Sequence, residues 1–156
     1  MELLDNLALG LVTSLSLYNL LLCFVGVLLG TLVGVLPGIG PVATISMLLP
    51  ITFVLPPVAA LIMMAGIYYG AQYGGSTTAI LINMPGEASS IVTALDGHQL
   101  ARQGKAGTAL AAAALGSFFA GTVATLLIVL VAPPLTELAL TVGSPEYFAL
   151  MVLGLI

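Results

Sequence analysis

Residues 74–95 read GGSTTAILINMPGEASSIVTAL, and this stretch decides the class of fold. Polar Ser76, Thr77 and Thr78 precede only four apolar residues, Ala79 to Ile82. Asn83, then Pro85-Gly86-Glu87, then Ser89-Ser90 interrupt the pattern before a second short apolar piece, Ile91 to Leu95. A membrane-crossing helix needs about 20 apolar residues for a hydrocarbon core of about 30 Å. Neither piece reaches that length. Two half-spans joined by a polar turn predict a helical hairpin that enters and leaves on one side. Irregular backbone at that depth is tolerated only where it lines protein or water.

The surrounding chain has the composition of a membrane protein. Of 156 residues, 60% are hydrophobic and 5% charged, with a mean hydropathy of +1.25. A soluble domain is about 25% charged, so a soluble globular enzyme is excluded. Two basic residues, Arg102 and Lys105, give no phosphate-tracking patch, so nucleic acid is excluded as a partner. A single cysteine, Cys23, and a single histidine, His98, leave no Cys-based zinc site, no metal cluster and no nucleophile–base set. No enzymatic activity is expected. The N-terminus carries Glu2 and Asp5 where a signal peptide needs positive charge, so the first segment reads as retained.

Outward from the central stretch, the spans expected are 17–36, 57–73 and 108–132, with another starting at 147. Residues 2–15 have leucines at helical spacing. They read either as an amphipathic lead-in helix in the interface or as an extension of the first span. Gly26, Gly30 and Gly34 recur every fourth position, a stripe that lets another helix approach closely. Ala113, Gly116, Ala120 and Ala124 give the 108–132 span a similar face. Tyr68, Tyr69 and Tyr73 crowd the expected end of the 57–73 span, as an interfacial belt or as a cavity lining. Residues 37–55, broken by Pro37, Pro41 and Pro50, form the other expected broken or re-entrant element. The loop 96–107 holds both basic residues and reads as aqueous and cytoplasmic, with Arg102 and Lys105 as topology determinants. Pro133-Pro134 are expected to end the third span, leaving Glu137 and Glu146 in outer segments.

Two proline–glycine breaks fall in apolar context, Leu36-Pro37-Gly38 and Met84-Pro85-Gly86. Paired interruptions point to a transport site at the bilayer midplane. Exposed helix N-termini attract carboxylates, and C-terminal carbonyls attract cations. Candidate substrate- and ion-binding residues are therefore Pro37, Gly38, Gly40, Gly74, Gly75, Ser76, Thr77, Thr78, Asn83 and Glu87. The hydroxyls of Ser76, Thr77 and Thr78 are candidate Na⁺ ligands. Glu87 is either the holder of a coupling proton or Na⁺, or a solvated turn residue. Each candidate also has a plainer reading, as a tight turn or a helix cap.

At Gly34-Val-Leu-Pro-Gly-Ile-Gly-Pro41, Tyr73-Gly-Gly-Ser-Thr-Thr-Ala-Ile-Leu-Ile-Asn83, Pro85-Gly-Glu87 and Asp96-Gly97…Gly104-Lys-Ala-Gly107, the chain resembles the large membrane subunit of tripartite tricarboxylate transporters. The resemblance extends over about residues 10–156. It implies an all-α, multi-pass protein of the bacterial inner membrane, surrounded by lipid. It further implies that residues 1–156 are the N-terminal part of a longer transporter built from two related halves. The expected partners are a small membrane subunit and a periplasmic solute-binding protein that delivers a carboxylate. The expected activity is secondary active uptake coupled to Na⁺ or H⁺, without a cofactor. The alternative is a non-transporting assembly subunit, for which the glycine stripes would be docking faces.

Overall fold

The computed structural model describes residues 2–140 and 142–154, and all of the elements it describes are helices. They are α1 (Glu2–Ser14), α2 (Leu17–Gly34), α3 (Pro41–Thr52), α4 (Pro57–Ile82), α5 (Ser90–Arg102), α6 (Ala106–Leu140) and α7 (Ser144–Gly154). Side-chain surroundings are described for all of these residues except 2–4, 133, 137 and 138. The chain divides into two compact units, Met1–Ala114 and Leu115–Ile156. Leu17–Gly34 and Ala106–Ala132 are long and apolar enough to cross a membrane.

In the first unit, Ser16 separates α1 from α2. Its extended backbone breaks the helix, and its hydroxyl accepts from the Asn19 N–H. The Asn19 side chain donates back to Thr13 O at 2.8 Å, tying the two helices across the break. α2 then runs beside α4 in the same direction. Gly26 lies against Met63, Gly30 against Ile67 and Gly34 against Ala71, so both chains ascend together. Between them α3 must run the opposite way. It begins after Gly40, and four residues separate its end at Thr52 from Pro57, where α4 starts.

Several boundaries differ from the sequence expectation, each for a local reason. α3 continues through Pro50 to Thr52, because a proline in the last turn removes one bond only and Thr52 Oγ1 supplies another to Leu49 O at 2.7 Å. α4 does not stop at Tyr73. It continues for 26 residues to Ile82, about 39 Å of helix. The hydroxyls of Ser76, Thr77 and Thr78 fold back onto carbonyls one turn earlier, and so do not compete with the helix. Tyr68 and Tyr69 consequently sit in mid-helix, with their rings edge to face at 5.9 Å. α5 takes up most of the expected loop 96–107, reaching Arg102 before a turn at Gly104, where φ is +78°.

In the second unit, α6 continues through Pro133-Pro134 to Leu140. Prolines inside apolar helices are tolerated where other groups satisfy the freed carbonyls. Thr122, Thr125 and Thr136 each donate to the carbonyl four residues back at 2.8 Å. These three hydroxyls are thus closed within the helix, as hydrocarbon surroundings require. The expected exposure of Glu137 lies outside the described residues. Glu146 falls in the first turn of α7, where a carboxylate complements the helix dipole.

Candidate functional site

The site starts from six glycines. Gly26, Gly30 and Gly34 of α2 face backbone of Met63, Ile67 and Ala71, while Gly66, Gly70 and Gly74 of α4 face backbone of Cys23, Val27 and Thr31. A Cβ at any of them would collide with main chain: at Gly66 it would stand 2.6 Å from Cys23 O, and at Gly74 2.8 Å from Thr31 O. The two stripes interlock, and the backbones approach as only glycine allows. This closeness places the end of α2 against the middle of α4. There Thr78, 5% exposed, donates both to Gly74 O at 2.8 Å and across to Val35 O at 3.1 Å.

Beyond Gly34 the chain turns through Pro37 to Gly40. Gly38 has φ +85°, a conformation that favours glycine. At the other end of α4, Asn83 closes the helix in the left-handed conformation at φ 58°, a role Asn fills well. Residues 83–89 then return alongside α4. Ser89 Oγ accepts from Gln72 Nε2 at 2.9 Å. A Cβ on Gly75 would lie 3.5 Å from Ser90 Oγ and 3.9 Å from Glu87 Oε1. From Ser90, α5 runs in the same direction as α4. Gly97 reaches the Ile80 side chain, and His98 Nδ1 lies 3.0 Å from Ile80 O. The stretch 74–95 is therefore not an antiparallel pair of half-helices. It is the end of a continuous helix, an irregular return of bends and turns and a second helix parallel to the first.

The two proline–glycine breaks meet as a result. A Cβ on Gly40 would stand 3.8 Å from Glu87 Cβ and 3.8 Å from Gly86 O. A Cβ on Gly86 would stand 3.4 Å from Gly75 Cα and 3.9 Å from both Gly34 O and Ile39 O. The α2–α3 turn approaches this junction from one side, and the 83–89 return from the other. Two helix N-termini start here, α3 at Gly40 and α5 at Ser89, and neither has a side-chain cap. At α5 the Ser90 and Ile91 N–H groups donate to Glu87 O and Ala88 O at 3.2 and 3.3 Å, and α3 begins with Pro41, which has no N–H to offer. Ser90, 1% exposed, donates to Glu87 Oε1 at 3.3 Å.

Of the candidates read from the sequence, the structure brings Gly40, Gly74, Gly75, Thr78 and Glu87 together, with Pro37 and Gly38 in the adjoining turn. Ser76 and Thr77 bond only within α4, to Gln72 O at 3.2 Å and Tyr73 O at 2.9 Å. Asn83 lies eight residues along α4 from Gly75, about 12 Å of rise. Arg102 ends α5 and Lys105 follows it. Sequence reading missed Gly66 and Gly70, although they share the four-residue spacing of the α2 stripe. It also missed Gln72, Ser89 and Ser90, for which only the fold gives a reason.

The sequence model of the tripartite tricarboxylate transporter TctA family matches residues 20–156. The chain is 71% identical over 156 residues to an uncharacterized 52.8 kDa protein in the TAR-I ttuC′ 3′ region of Agrobacterium vitis. That similarity covers 100% of this chain and 31% of the relative, so the chain spans about a third of the length of the curated relative it matches. No solved structure matches.

Proposed function

Because the chain belongs to the tripartite tricarboxylate transporter TctA family, we propose that it forms the N-terminal part of a multi-pass inner-membrane permease subunit. This subunit imports a tricarboxylate or related carboxylate by secondary active transport, driven by an ion gradient. A periplasmic solute-binding protein delivers the substrate, and a small membrane subunit completes the assembly. The observation that carries the reading is the meeting of the two breaks, Gly40 against Gly86 and Glu87, beside Gly75.

Such a junction suits a carboxylate. An unpaired charge at mid-bilayer costs at least about 2.5–3.5 kcal/mol, and Arg102 and Lys105, the only basic side chains, lie outside the junction. The uncapped N-termini of α3 and α5 offer partial positive charge instead. Carboxylate groups would rest on these ends, in the arrangement that broken-helix carriers use for anionic substrates. The assembly-subunit alternative loses one of its docking faces, since α4 of the same chain fills the Gly26–Gly30–Gly34 stripe, while Gly116 of the other small-residue face meets nothing among the described residues.

The test is uptake of labelled di- and tricarboxylates into vesicles holding the complete large subunit, its small subunit and the binding protein. Uptake that requires all three components, and that collapses with the ion gradient, is the expected result. Gradient-dependent assembly without uptake of any carboxylate would reject the reading.

A further inference from the structure

We propose that α1 lies flat on a zwitterionic lipid surface, with Leu7, Leu11 and Leu15 seated among the headgroups and upper acyl chains and Asp5, Asn6 and Thr13 turned to water. The inference goes beyond carboxylate transport. It rests on the membrane reading only for the placement of α2 across a bilayer.

α2 fills a hydrocarbon core alone. Its 18 residues make about 27 Å of helix, against a core of about 30 Å. Joined in one straight rod, α1 and α2 would measure about 50 Å, so α1 cannot share the core in line with α2. The chain breaks at that boundary. Ser16 is extended, at φ −60° and ψ 141°, and the break is closed by the chain's own groups. Leu11 O accepts from the Leu15 N–H at 2.9 Å, and Thr13 O from the Ser16 N–H at 3.3 Å. Thr13 O also accepts from Nδ2 of Asn19, which is 7% exposed. A buried side chain therefore fixes the bend, and α1 leaves α2 in a set direction.

α1 has two faces. Leu7, Leu11 and Leu15 recur every fourth position and so share one side, with Ala8 and Val12 beside them. Asp5, Asn6 and Thr13 lie opposite, where Leu9 is the one apolar residue. Leu11 and Leu15 are 61% and 64% exposed, and a Cβ on Gly10 would meet nothing within 4 Å. The leucine face is therefore not packed against the rest of the first unit. Extended into water, α1 would leave three leucines wet. Sunk in hydrocarbon, it would carry Asp5 into the core, where a charge is costly. The interface satisfies both faces at once. Charge selects the lipid. Residues 2–15 hold Glu2 and Asp5 and neither Lys nor Arg. Anionic headgroups attract basic segments and repel an acidic one, so apolar area alone seats α1, best on headgroups without net charge.

The test reads the depth of each face with spin labels on single cysteines. It uses the complete large subunit joined to its small subunit, otherwise cysteine-free and including Cys23→Ala, in phosphatidylcholine vesicles. Oxygen concentrates in hydrocarbon and a nickel chelate stays in water, so the ratio of their collisions with a label measures its depth. Leu11→Cys and Leu15→Cys should collide mainly with oxygen. Asn6→Cys, on the opposite face, should collide mainly with the chelate. Leu28→Cys, on the exposed side of α2, reports the spanning helix and should lie deepest. Each substituted position is exposed, so the variants fold. Adding phosphatidylglycerol should lower the oxygen-to-chelate ratio at Leu11→Cys and leave Leu28→Cys unchanged. Chelate reaching Leu11→Cys as freely as Asn6→Cys would overturn the proposal, since α1 would then stand in water. Oxygen reaching Asn6→Cys as freely as Leu11→Cys would also overturn it and make α1 a continuation of the span. Shielding of Leu11→Cys from both reagents would put a protein neighbour on the leucine face in place of lipid. A ratio at Leu11→Cys that rises with phosphatidylglycerol would overturn the choice of lipid. Chelate reaching Leu28→Cys would reject the membrane crossing of α2 and this inference with it, whereas failure at Leu11→Cys alone leaves the transport reading standing.

Discussion

A complete carrier bearing Gly70→Ala should fail to reach a stable folded state. The added methyl lands against Val27 O and stands 2.9 Å from Thr31 N and 3.0 Å from Val27 C. These are backbone atoms of a neighbouring helix, so no rotamer change relieves the clash. The helices must separate, and separation breaks the five other glycine approaches and the Thr78 bond to Val35 O. Overpacking in a well-packed core costs about 1–3 kcal/mol, and a rigid seam places this case at the upper end. Thermal midpoint and yield of monodisperse protein measure it. Gly75→Ala, only five residues further along α4, is the internal control. Its methyl finds ordinary contacts, and its midpoint should stay near wild type. Equal midpoints for Gly70→Ala and wild type would contradict the parallel glycine seam.

A second large effect is expected at the junction itself. In a carrier otherwise free of cysteine, including Cys23→Ala, the pair Gly40→Cys and Glu87→Cys should oxidise readily to a disulfide. The Cβ positions would be 3.8 Å apart, and native disulfides average about 3.8 Å. Closing a loop of this length stabilises the folded chain by about 4 kcal/mol in the chain-entropy picture. Proteolytic mapping with and without reductant detects the bond, and the thermal midpoint should rise on oxidation and fall back on reduction. Free thiols that persist under oxidant would show that the two breaks do not meet.

The class of fold was legible because composition and run length act everywhere along the chain. An apolar, charge-poor sequence with Gly34, Pro37, Pro85 and Gly86 at the ends of its runs announces an all-helical fold, and two of its helices are long and apolar enough to cross a membrane. The direction of those segments was not legible. Ser76, Thr77 and Thr78 look like helix breakers in sequence, yet their hydroxyls bond to carbonyls one turn back and let α4 continue. The course of residues 83–89 depends on Gln72 finding Ser89 and on Gly75 leaving room for Gly86. These are tertiary facts with no local signature. Asp96 to Arg102 read as loop because they are polar, and they become helix because Gly97 and His98 dock on Ile80. At the site, the break positions could be read directly. The oxygens of Gly34 and Ile39 could not, since every residue carries a carbonyl and only the fold aims it.

The central claim is that a carboxylate binds where the two breaks meet. Its most direct test is protection of Gly40→Cys from a water-soluble thiol reagent. The complete carrier is used, otherwise cysteine-free, in vesicles with its small subunit and binding protein. A transported carboxylate should slow modification of Gly40→Cys and leave Gln103→Cys, in the exposed connection after α5, unaffected. Modification of Gly40→Cys at an unchanged rate during active uptake would place the substrate elsewhere.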